Sequence, residues 1–359
     1  MRIVQIIPTF GVGGAETMCE GLCRQLQKDG HAVSAVSLSG DRTMISDRLE
    51  QAGVPLYFLD KALGSGFQCV GQLKKLLREL RPQVIHTHLH ALKYAALASR
   101  NIPIVHTVHN QAAQEAVFLD QQIGKYLFRR GKAQPVALTR EVRQSIVALY
   151  GLPEAKIPII TNGIDLSRCG EKSDYALHYP VELLHVGRFF PQKNHEVLVR
   201  AAAILKKRGC NVRIRCCGNG PLMEDIRGQV QAAGLSGQIV FEGVCDDILD
   251  RMARADIFLL PSKWEGMPMT VIEAMGTGLP VVASRVGGVP DMVTDGESGL
   301  LIPPTAEALA QAIERLVKDE ALRERLGTQA RQEARRFSIE AMAQGYETLY
   351  ARLTGGAAL

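Results

Sequence analysis

Short apolar runs alternate with amphipathic runs along most of the 359-residue chain. The apolar runs have the length of buried strands, and the amphipathic runs place apolar residues at helical spacing. The first half contains predicted strands at 2–7, 32–38, 54–58, 83–87, 104–108 and 135–138. Its predicted helices are 15–28, 44–52, 67–80, 91–99, 114–130 and 140–150. This order predicts a parallel, doubly wound α/β sheet.

The same alternation restarts in the second half of the chain. Its predicted strands are 182–186, 211–216, 238–241, 256–260, 279–283 and 299–302. Its predicted helices are 196–207, 223–232, 248–253, 268–275 and 306–317. A chain of this length exceeds what one hydrophobic core usually supports, so two domains are expected. We place them at 1–163 and 164–337, with a further amphipathic helix at about 338–353.

Two carboxylates, Glu265 and Glu273, lie between the predicted strand that ends at Pro261 and the strand that follows. Pro268 suits the first turn of a helix because no N–H is needed there. Glu265 would then precede the helix and Glu273 would lie inside it, at the sheet edge where open α/β folds bind ligands. Two solvated glutamates are the alternative, but apolar residues surround Glu273. Flanking catalytic carboxylates of a glycoside hydrolase are another alternative.

Glycine-rich turns follow several predicted strands. Gly13 and Gly14 open a helix after the first strand, and backbone N–H groups there could meet a phosphate or a sugar. Gly218 lies in a second strand-to-helix turn. The dinucleotide fingerprint is missing because Glu16 stands where its third glycine would be, which disfavours an NAD-dependent dehydrogenase.

Five of the nine histidines fall within 24 residues, in the runs VIHTHLH and IVHTVHN. His88, His109 and Asn110 lie near the carboxyl ends of two predicted strands, where ligands are expected. A metal cluster is the alternative, but neither run carries a neighbouring Asp, Glu or Cys ligand. We expect His86 and His106 to be buried and hydrogen-bonded.

Arg188 and Lys193 follow the first strand of the second half. Two cations at a ligand edge can stabilise negative charge that develops on a departing diphosphate. The chain contains no Asp-x-Asp, so we expect no bound metal, and no other cofactor is indicated.

The net charge of +5 is unevenly distributed, since residues 1–163 carry +7. Basic and aromatic residues interleave in GKYLFRRGK, residues 124–132, which is typical of a helix at a membrane edge. A soluble domain with surplus surface cations is the alternative. No nucleic-acid module, apolar membrane span or signal peptide is evident, and the unpaired cysteine pattern favours a cytoplasmic protein.

The run EGMPMTVIEAMGTGLPVV resembles the two-glutamate motif of retaining family-4 glycosyltransferases with the GT-B fold. The resemblance implies two Rossmann-like domains facing a central cleft, with the helix at 338–353 packed back on the first domain. It implies that Glu273 binds the ribose hydroxyls, that Glu265 binds the transferred sugar, and that Arg188 and Lys193 face the diphosphate. Met267 and Pro268 stand where many members of that family have an aromatic residue and a glycine.

The remaining implied roles also come from the resemblance. His109 would contact the donor sugar near the reacting carbon, and His88 and Asn110 would line the acceptor side. The further implied donor-binding positions are Gly13, Gly14, Gly218, Val244, Gly266, Met267, Met269 and Thr270.

The expected activity is metal-independent, retaining transfer from a nucleotide sugar, with a UDP-sugar favoured. The acceptor would be a glycan or a lipid-linked precursor of the cell envelope. The protein would be cytoplasmic and peripheral on the inner face of the membrane. A catalytically silent nucleotide-sugar-binding partner and a nucleotide-sugar 2-epimerase are the alternatives.

Overall fold

The computed structural model describes residues 1–11, 13–59, 66–99, 101–115 and 117–355. The chain divides into two compact units. Unit 1 comprises Met1–Ile164 and Ser338–Leu359, and unit 2 comprises Asp165–Phe337. Among the described residues, no helix is both long and apolar enough to cross a membrane.

Each unit contains one six-stranded sheet. The strands of unit 1 are β1 (Arg2–Ile7), β2 (Ala32–Ser37), β3 (Leu56–Phe58), β4 (Val84–His88), β5 (Ile104–Val108) and β6 (Gln134–Ala137). The strands of unit 2 are β7 (Val181–Val186), β8 (Val212–Cys217), β9 (Ile239–Gly243), β10 (Ile257–Leu260), β11 (Val281–Ser284) and β12 (Leu300–Ile302).

Helices connect the strands and cover the sheets. The first seven are α1 (Gly14–Lys28), α2 (Met44–Gln51), α3 (Gly66–Leu80), α4 (Leu92–Ala98), α5 (Ala112–Glu115), α6 (Phe118–Arg129) and α7 (Arg140–Tyr150). The others are α8 (His195–Lys207), α9 (Met223–Ala232), α10 (Ile248–Arg254), α11 (Met269–Thr277), α12 (Val289–Met292), α13 (Ala306–Lys318), α14 (Glu320–Ala334) and α15 (Ile339–Thr354).

Both sheets are parallel and doubly wound, as the alternating pattern predicts. The strand order is β3-β2-β1-β4-β5-β6 in unit 1 and β12-β11-β10-β7-β8-β9 in unit 2. The direction of winding therefore reverses between β1 and β4 in unit 1, and between β7 and β10 in unit 2. Open α/β folds bind ligands beyond the carboxyl ends of the strands at this reversal.

Helix α15 is last in sequence but packs within unit 1. Its Tyr346 hydroxyl lies 2.7 Å from Thr107 Oγ1 of β5, and both groups are buried. Gly163 permits the chain to approach the start of this helix, since a Cβ there would lie 2.3 Å from the Ser338 carbonyl oxygen. A buried polar contact thus joins the strand and the helix.

Three local features differ from the predicted elements. The single helix expected at 114–130 is two helices, α5 and α6, with an extended Val117 before the second; residue 116 lies outside the described residues. Pro268 caps α11 in an extended conformation and does not form its first turn. The short helix α12 occupies a segment in which no helix or strand is predicted.

Candidate functional site

The candidate residues of unit 2 follow the carboxyl ends of four adjacent strands. Arg188 and Lys193 come after β7, Gly218 after β8, Val244 after β9 and Glu265 after β10. Because β10, β7, β8 and β9 are neighbours in the sheet, these positions share one sheet edge. This edge includes the reversal between β7 and β10.

Lys193 and Glu265 meet across that reversal. Lys193 Nζ donates to Glu265 Oε1 at 2.6 Å, and the two side chains are 16% and 4% exposed. Ser262 also donates to Oε1 at 2.6 Å, and Gln192 donates to Oε2 at 3.1 Å. The Glu265 carboxylate is therefore held by three side chains. An ammonium carries three donors, so Lys193 keeps two for other partners.

Arg188 lies beside this pair in sequence but has a different environment. Its side chain is exposed, and the guanidinium carbon lies 5.7 Å from the centre of the Phe190 ring. Within the described ranges, no carboxylate forms an ion pair with it. An exposed guanidinium supported by an aromatic ring is available to an incoming anion.

Two glycines allow the loops after β7 and β8 to touch. Gly218 has a φ of +138°, and a Cβ there would lie 2.1 Å from the Gly187 carbonyl oxygen. The Gly218 amide donates to the Gly243 carbonyl at 2.6 Å, which joins this turn to the end of β9. Val244 follows and is 53% exposed.

Gly287 supports Glu265 from the loop after β11. Its φ is +57°, and a Cβ would lie 1.8 Å from the Glu265 carbonyl oxygen. The next residue, Gly288, donates its amide to the Gly266 carbonyl at 3.0 Å. Local sequence does not connect this glycine pair with Glu265, and only the tertiary structure reveals the contact.

The start of α11 presents backbone donors beside Glu265. Amides in the first turn of a helix have no intrahelical partner, and the positive end of the helix dipole lies there. The Thr270 hydroxyl is buried and has no hydrogen-bond partner among the described residues. The candidate positions at this end of the helix are Gly266, Met267, Met269 and Thr270.

Glu273 lies one turn further along α11 and is half-buried. Burial raises the pKa of Glu273 to about 7, and the charge of Arg168 lowers that pKa only in part. The carboxylate forms no hydrogen bond with another residue in the described part of the chain. It is therefore a desolvated acceptor that lacks a protein donor.

In unit 1, three side chains from adjacent strands form a buried hydrogen-bonded row. Gln5 Oε1 of β1 lies 2.9 Å from His88 Nε2, at the end of β4. His88 Nδ1 lies 3.0 Å from Nε2 of His109, which follows β5. Gln5 is a residue that the sequence does not single out, since an isolated glutamine in a strand carries no functional pattern.

Burial keeps this row uncharged. Desolvation lowers the pKa of His109 to about 3 and the pKa of His88 well below its usual value, and neighbouring histidines lower both further. Imidazoles with such pKa values are neutral at physiological pH. His109 can therefore donate or accept a hydrogen bond but carries no charge to offer an anion.

Glu115 anchors the turn that carries His109. Its Oε2 atom accepts the backbone N–H of His109 at 2.6 Å and that of Asn110 at 2.8 Å. Burial raises the pKa of Glu115 to about 7 in spite of these two hydrogen bonds. The Asn110 side-chain oxygen is buried without a partner in the described structure, so it too can accept from a ligand.

The other two histidines of these strands have structural surroundings, as predicted. His86 Nδ1 lies 2.7 Å from the Tyr350 hydroxyl of α15, and its Nε2 lies 2.8 Å from Thr107 Oγ1. His106 Nδ1 lies 2.9 Å from Thr87 Oγ1. No group of three or more His, Cys, Asp or Glu side chains placed to hold a metal is found in the described ranges.

Gly13 and Gly14 lie at the start of α1, after β1. A Cβ on Gly13 would lie 2.4 Å from Glu16 Oε2, so the Glu16 carboxylate folds back over the glycine. Residue 12, in the same turn, is outside the described residues. The two glycines thus follow β1, which neighbours β4 at the reversal of the unit 1 sheet.

The basic and aromatic segment 124–132 is only partly as expected. Phe128 does not face outward: it is buried and packs edge-on against Tyr150 with ring centres 5.1 Å apart. Arg129 donates through Nε to the Tyr150 carbonyl at 2.7 Å. Tyr126 is the aromatic residue of this segment that is exposed.

Two family models match the chain in succession. The model described as Glycosyltransferase Family 4 matches residues 12–168, and Glycosyl transferases group 1 matches residues 177–333. The D-inositol 3-phosphate glycosyltransferase of Kribbella flavida is 30% identical over 294 residues, which are 73% of this chain and 69% of that relative. An uncharacterized glycosyltransferase of Methanocaldococcus jannaschii is 26% identical over 356 residues, 90% of each chain.

A solved structure shares the fold over almost the whole length. The crystal structure of Anabaena HepE in complex with UDP and glucose has a TM-score of 0.84 and is 21% identical in sequence. The match covers 96% of this chain and 98% of HepE.

Proposed function

Because the chain belongs to the group 1, family-4 glycosyltransferases with the GT-B fold, we propose that it transfers a sugar from a UDP-sugar with retention and without a metal. The acceptor is a lipid-linked or polysaccharide precursor of the cell envelope. The observation that carries the proposal is the edge of unit 2, where Arg188, Lys193 and Glu265 lie after adjacent strands.

The two cations supply the charge that the leaving nucleotide requires. A diphosphate gains negative charge as the glycosidic bond breaks, and positioned cations that stabilise this charge lower the barrier. Arg188 is exposed without an ion-pair partner among the described residues, and Lys193 is oriented by Glu265. Together they can perform the task that a divalent cation performs in metal-dependent transferases.

The surroundings of Glu265 favour a mechanism without a carboxylate nucleophile. Its two oxygens accept from Lys193, Ser262 and Gln192. A carboxylate whose oxygens already accept three hydrogen bonds is a weaker nucleophile than one with open lone pairs, and a double-displacement glycosidase attacks the sugar through a carboxylate oxygen. We therefore propose attack on the face from which the diphosphate leaves, with a phosphate oxygen taking the acceptor proton.

Glu273 and His109 complete the proposed donor contacts. Glu273 has no protein hydrogen-bond donor in the described structure, so ribose hydroxyls can donate to it. His109 is neutral and can contact a sugar hydroxyl, with His88 and Asn110 toward the acceptor. The choice of UDP draws on HepE, whose structure contains UDP and glucose.

Transfer can be tested with UDP-, GDP- and ADP-sugars supplied singly in EDTA, with a cell-envelope lipid extract as acceptor. We expect release of UDP that depends on the acceptor, and a product whose anomeric proton coupling matches that of the donor. Release that requires a metal would refute metal independence, and an inverted anomer would refute retention. Nucleotide binding without any acceptor-dependent release would favour the silent binding partner.

A further inference from the structure

Three consecutive apolar residues are exposed where α6 begins. Val117, Phe118 and Leu119 are 62%, 75% and 63% exposed. Single exposed apolar residues are common, but a contiguous patch commonly marks an interaction site. Another exposed apolar residue, Leu97, belongs to the neighbouring helix α4 and is 65% exposed. It lies one turn from Lys93, and the Lys93 ammonium joins the two helices by contacting Asp120 of α6 at 2.7 Å.

The apolar patch continues into a basic surface along the same side of α6. At about 100° per residue, Phe118, Gln122 and Tyr126 lie on one side of the helix, and Leu127 and Phe128 lie toward the core. The burial of each residue agrees with this arrangement. We define the α6 face as Phe118, Leu119, Gln122, Lys125, Tyr126, Arg129 and Arg130.

The α6 face contains three cations and no carboxylate. The acidic residue of the helix, Asp120, lies on the side toward α4, where it pairs with Lys93. Tyr126 lies between two cations: Arg130 is 6.0 Å from its ring centre, and Lys132 is 5.0 Å away. Most exposed helix faces mix both signs of charge, so a face with only cations and apolar groups indicates a partner that is anionic and apolar.

We propose that the α6 face and Val117 dock unit 1 on an anionic lipid bilayer. Phe118, Leu119 and Tyr126 would enter the boundary between headgroups and acyl chains, and the cations would meet lipid phosphates. This deepens the proposed function, because a lipid-linked acceptor would reach the enzyme from that surface. A protein partner would also accept apolar residues, but cations without interspersed carboxylates match lipid phosphates better.

Sedimentation of the full chain with vesicles tests the proposal without any nucleotide. The vesicles are phosphatidylcholine alone or phosphatidylcholine mixed with phosphatidylglycerol. We expect salt-sensitive binding to the mixed vesicles only. A Phe118→Ser/Leu119→Ser variant should bind at least about tenfold more weakly, because two apolar side chains are no longer inserted. Arg130→Gln should weaken binding about fivefold.

Met44→Ser is the matched control. Met44 is 41% exposed on α2, which connects β2 and β3 at the opposite edge of the unit 1 sheet from α6. Its substitution should leave vesicle binding unchanged. Equal binding of wild type and the double variant, equal binding to both vesicle types, or no binding at all would overturn the proposal. The proposal would also be overturned if the wild type forms a dimer in solution, the double variant does not, and neither protein binds vesicles.

Stabilisation by UDP separates this result from the proposed function. Every variant here lies outside the donor contacts and should keep the UDP-induced rise in Tm of the wild type. If the wild type binds vesicles but UDP does not raise its Tm, the docking surface is supported and the donor assignment is refuted. If UDP raises the Tm but the wild type does not bind vesicles, only the docking surface is refuted.

Discussion

Gln5 determines which nitrogen of His88 carries a hydrogen. The Gln5 Oε1 atom lies 2.9 Å from His88 Nε2, and an amide oxygen can only accept. His88 Nε2 therefore donates, and His88 Nδ1 accepts from Nε2 of His109 at 3.0 Å. His109 is left with its hydrogen on Nε2 and a lone pair on Nδ1. A residue on β1 thus positions, through one histidine, the ring proposed to contact the donor sugar.

Replacing Gln5 by leucine should disturb this tautomer. We expect the ¹⁵N chemical shifts of His109 to move toward a mixture of tautomers, and the free energy of unfolding to fall by about 1–3 kcal/mol because a buried donor loses its acceptor. Unchanged His109 shifts in Gln5→Leu, read from a long-range ¹H–¹⁵N spectrum, would contradict this role.

Removing Lys193 should affect activity and stability through different causes. In Lys193→Met, kcat/KM should fall roughly 10²- to 10³-fold because a charge at the leaving group is lost. Unfolding should become easier by about 1–3 kcal/mol, since Glu265 loses a buried partner.

A second substitution separates the two effects. Lys193→Met/Glu265→Gln leaves no unpaired charge, so urea unfolding should show part of the stability restored, without recovery of kcat/KM. If the double variant is less stable than the sum of the two single changes predicts, the lost Lys193–Glu265 ion pair does not explain the lower stability of Lys193→Met.

Protonation of Glu273 should couple to folding. Its pKa is raised from 4.5 to about 7, so the folded state retains a proton that the unfolded state releases. Relative to Glu273→Gln, wild-type stability should therefore fall as pH rises from 4.5 to 7, by at most about 3 kcal/mol. Urea unfolding across this range measures the difference, and parallel pH profiles for the two proteins would contradict the shift.

UDP binding near pH 6.5 should release, on average, a fraction of one proton from the Glu273 carboxyl group. Ribose hydroxyls donate hydrogen bonds, so they favour the ionised Glu273 and lower its pKa on binding. Calorimetry in two buffers of different ionisation enthalpy measures the release. Glu324→Ala, which removes an exposed carboxylate from α14, should leave the release intact, whereas Glu273→Gln should abolish it.

Gly287 should be far less tolerant of alanine than Gly296. Both have positive φ, +57° and +76°, so alanine should raise the backbone conformational energy by a similar amount at either position. A Cβ on Gly287 meets the Glu265 carbonyl at 1.8 Å, whereas nothing lies within 4 Å of Gly296. Gly287→Ala should reduce stability by several kcal/mol and weaken UDP binding; Gly296→Ala should cost about 1 kcal/mol. Equal losses in urea unfolding would show that the contact is unimportant.

The chain's local pattern predicted both doubly wound sheets because each strand and helix shows its own periodicity. It also places Arg188 and Glu265 beyond strand ends, because the two residues follow their strands within two and five positions. Partners from distant segments could not be predicted in this way. Gln5 meets His88 across 83 residues, and Gly287 reaches Glu265 from another loop, so both depend on strand order and side-chain direction.

Helix α6 illustrates the same limit. Composition identified 124–132 as basic and aromatic, but helical rotation turns Phe128 into the core. The exposed apolar residues lie at the other end of α6, beyond the break at Val117. Because the sequence predicted one continuous helix, its outward face could not be assigned correctly.

A thermal-shift screen with UDP, GDP and ADP in EDTA, on wild type and Glu273→Ala, most directly tests the donor site of unit 2. A ligand at about 100 times its Kd adds roughly 2.7 kcal/mol of stability, which is readily detected as a higher Tm. We predict that UDP stabilises the wild type and Glu324→Ala in EDTA and does not stabilise Glu273→Ala. Stabilisation by no nucleotide, or only with added metal, would contradict the assignment.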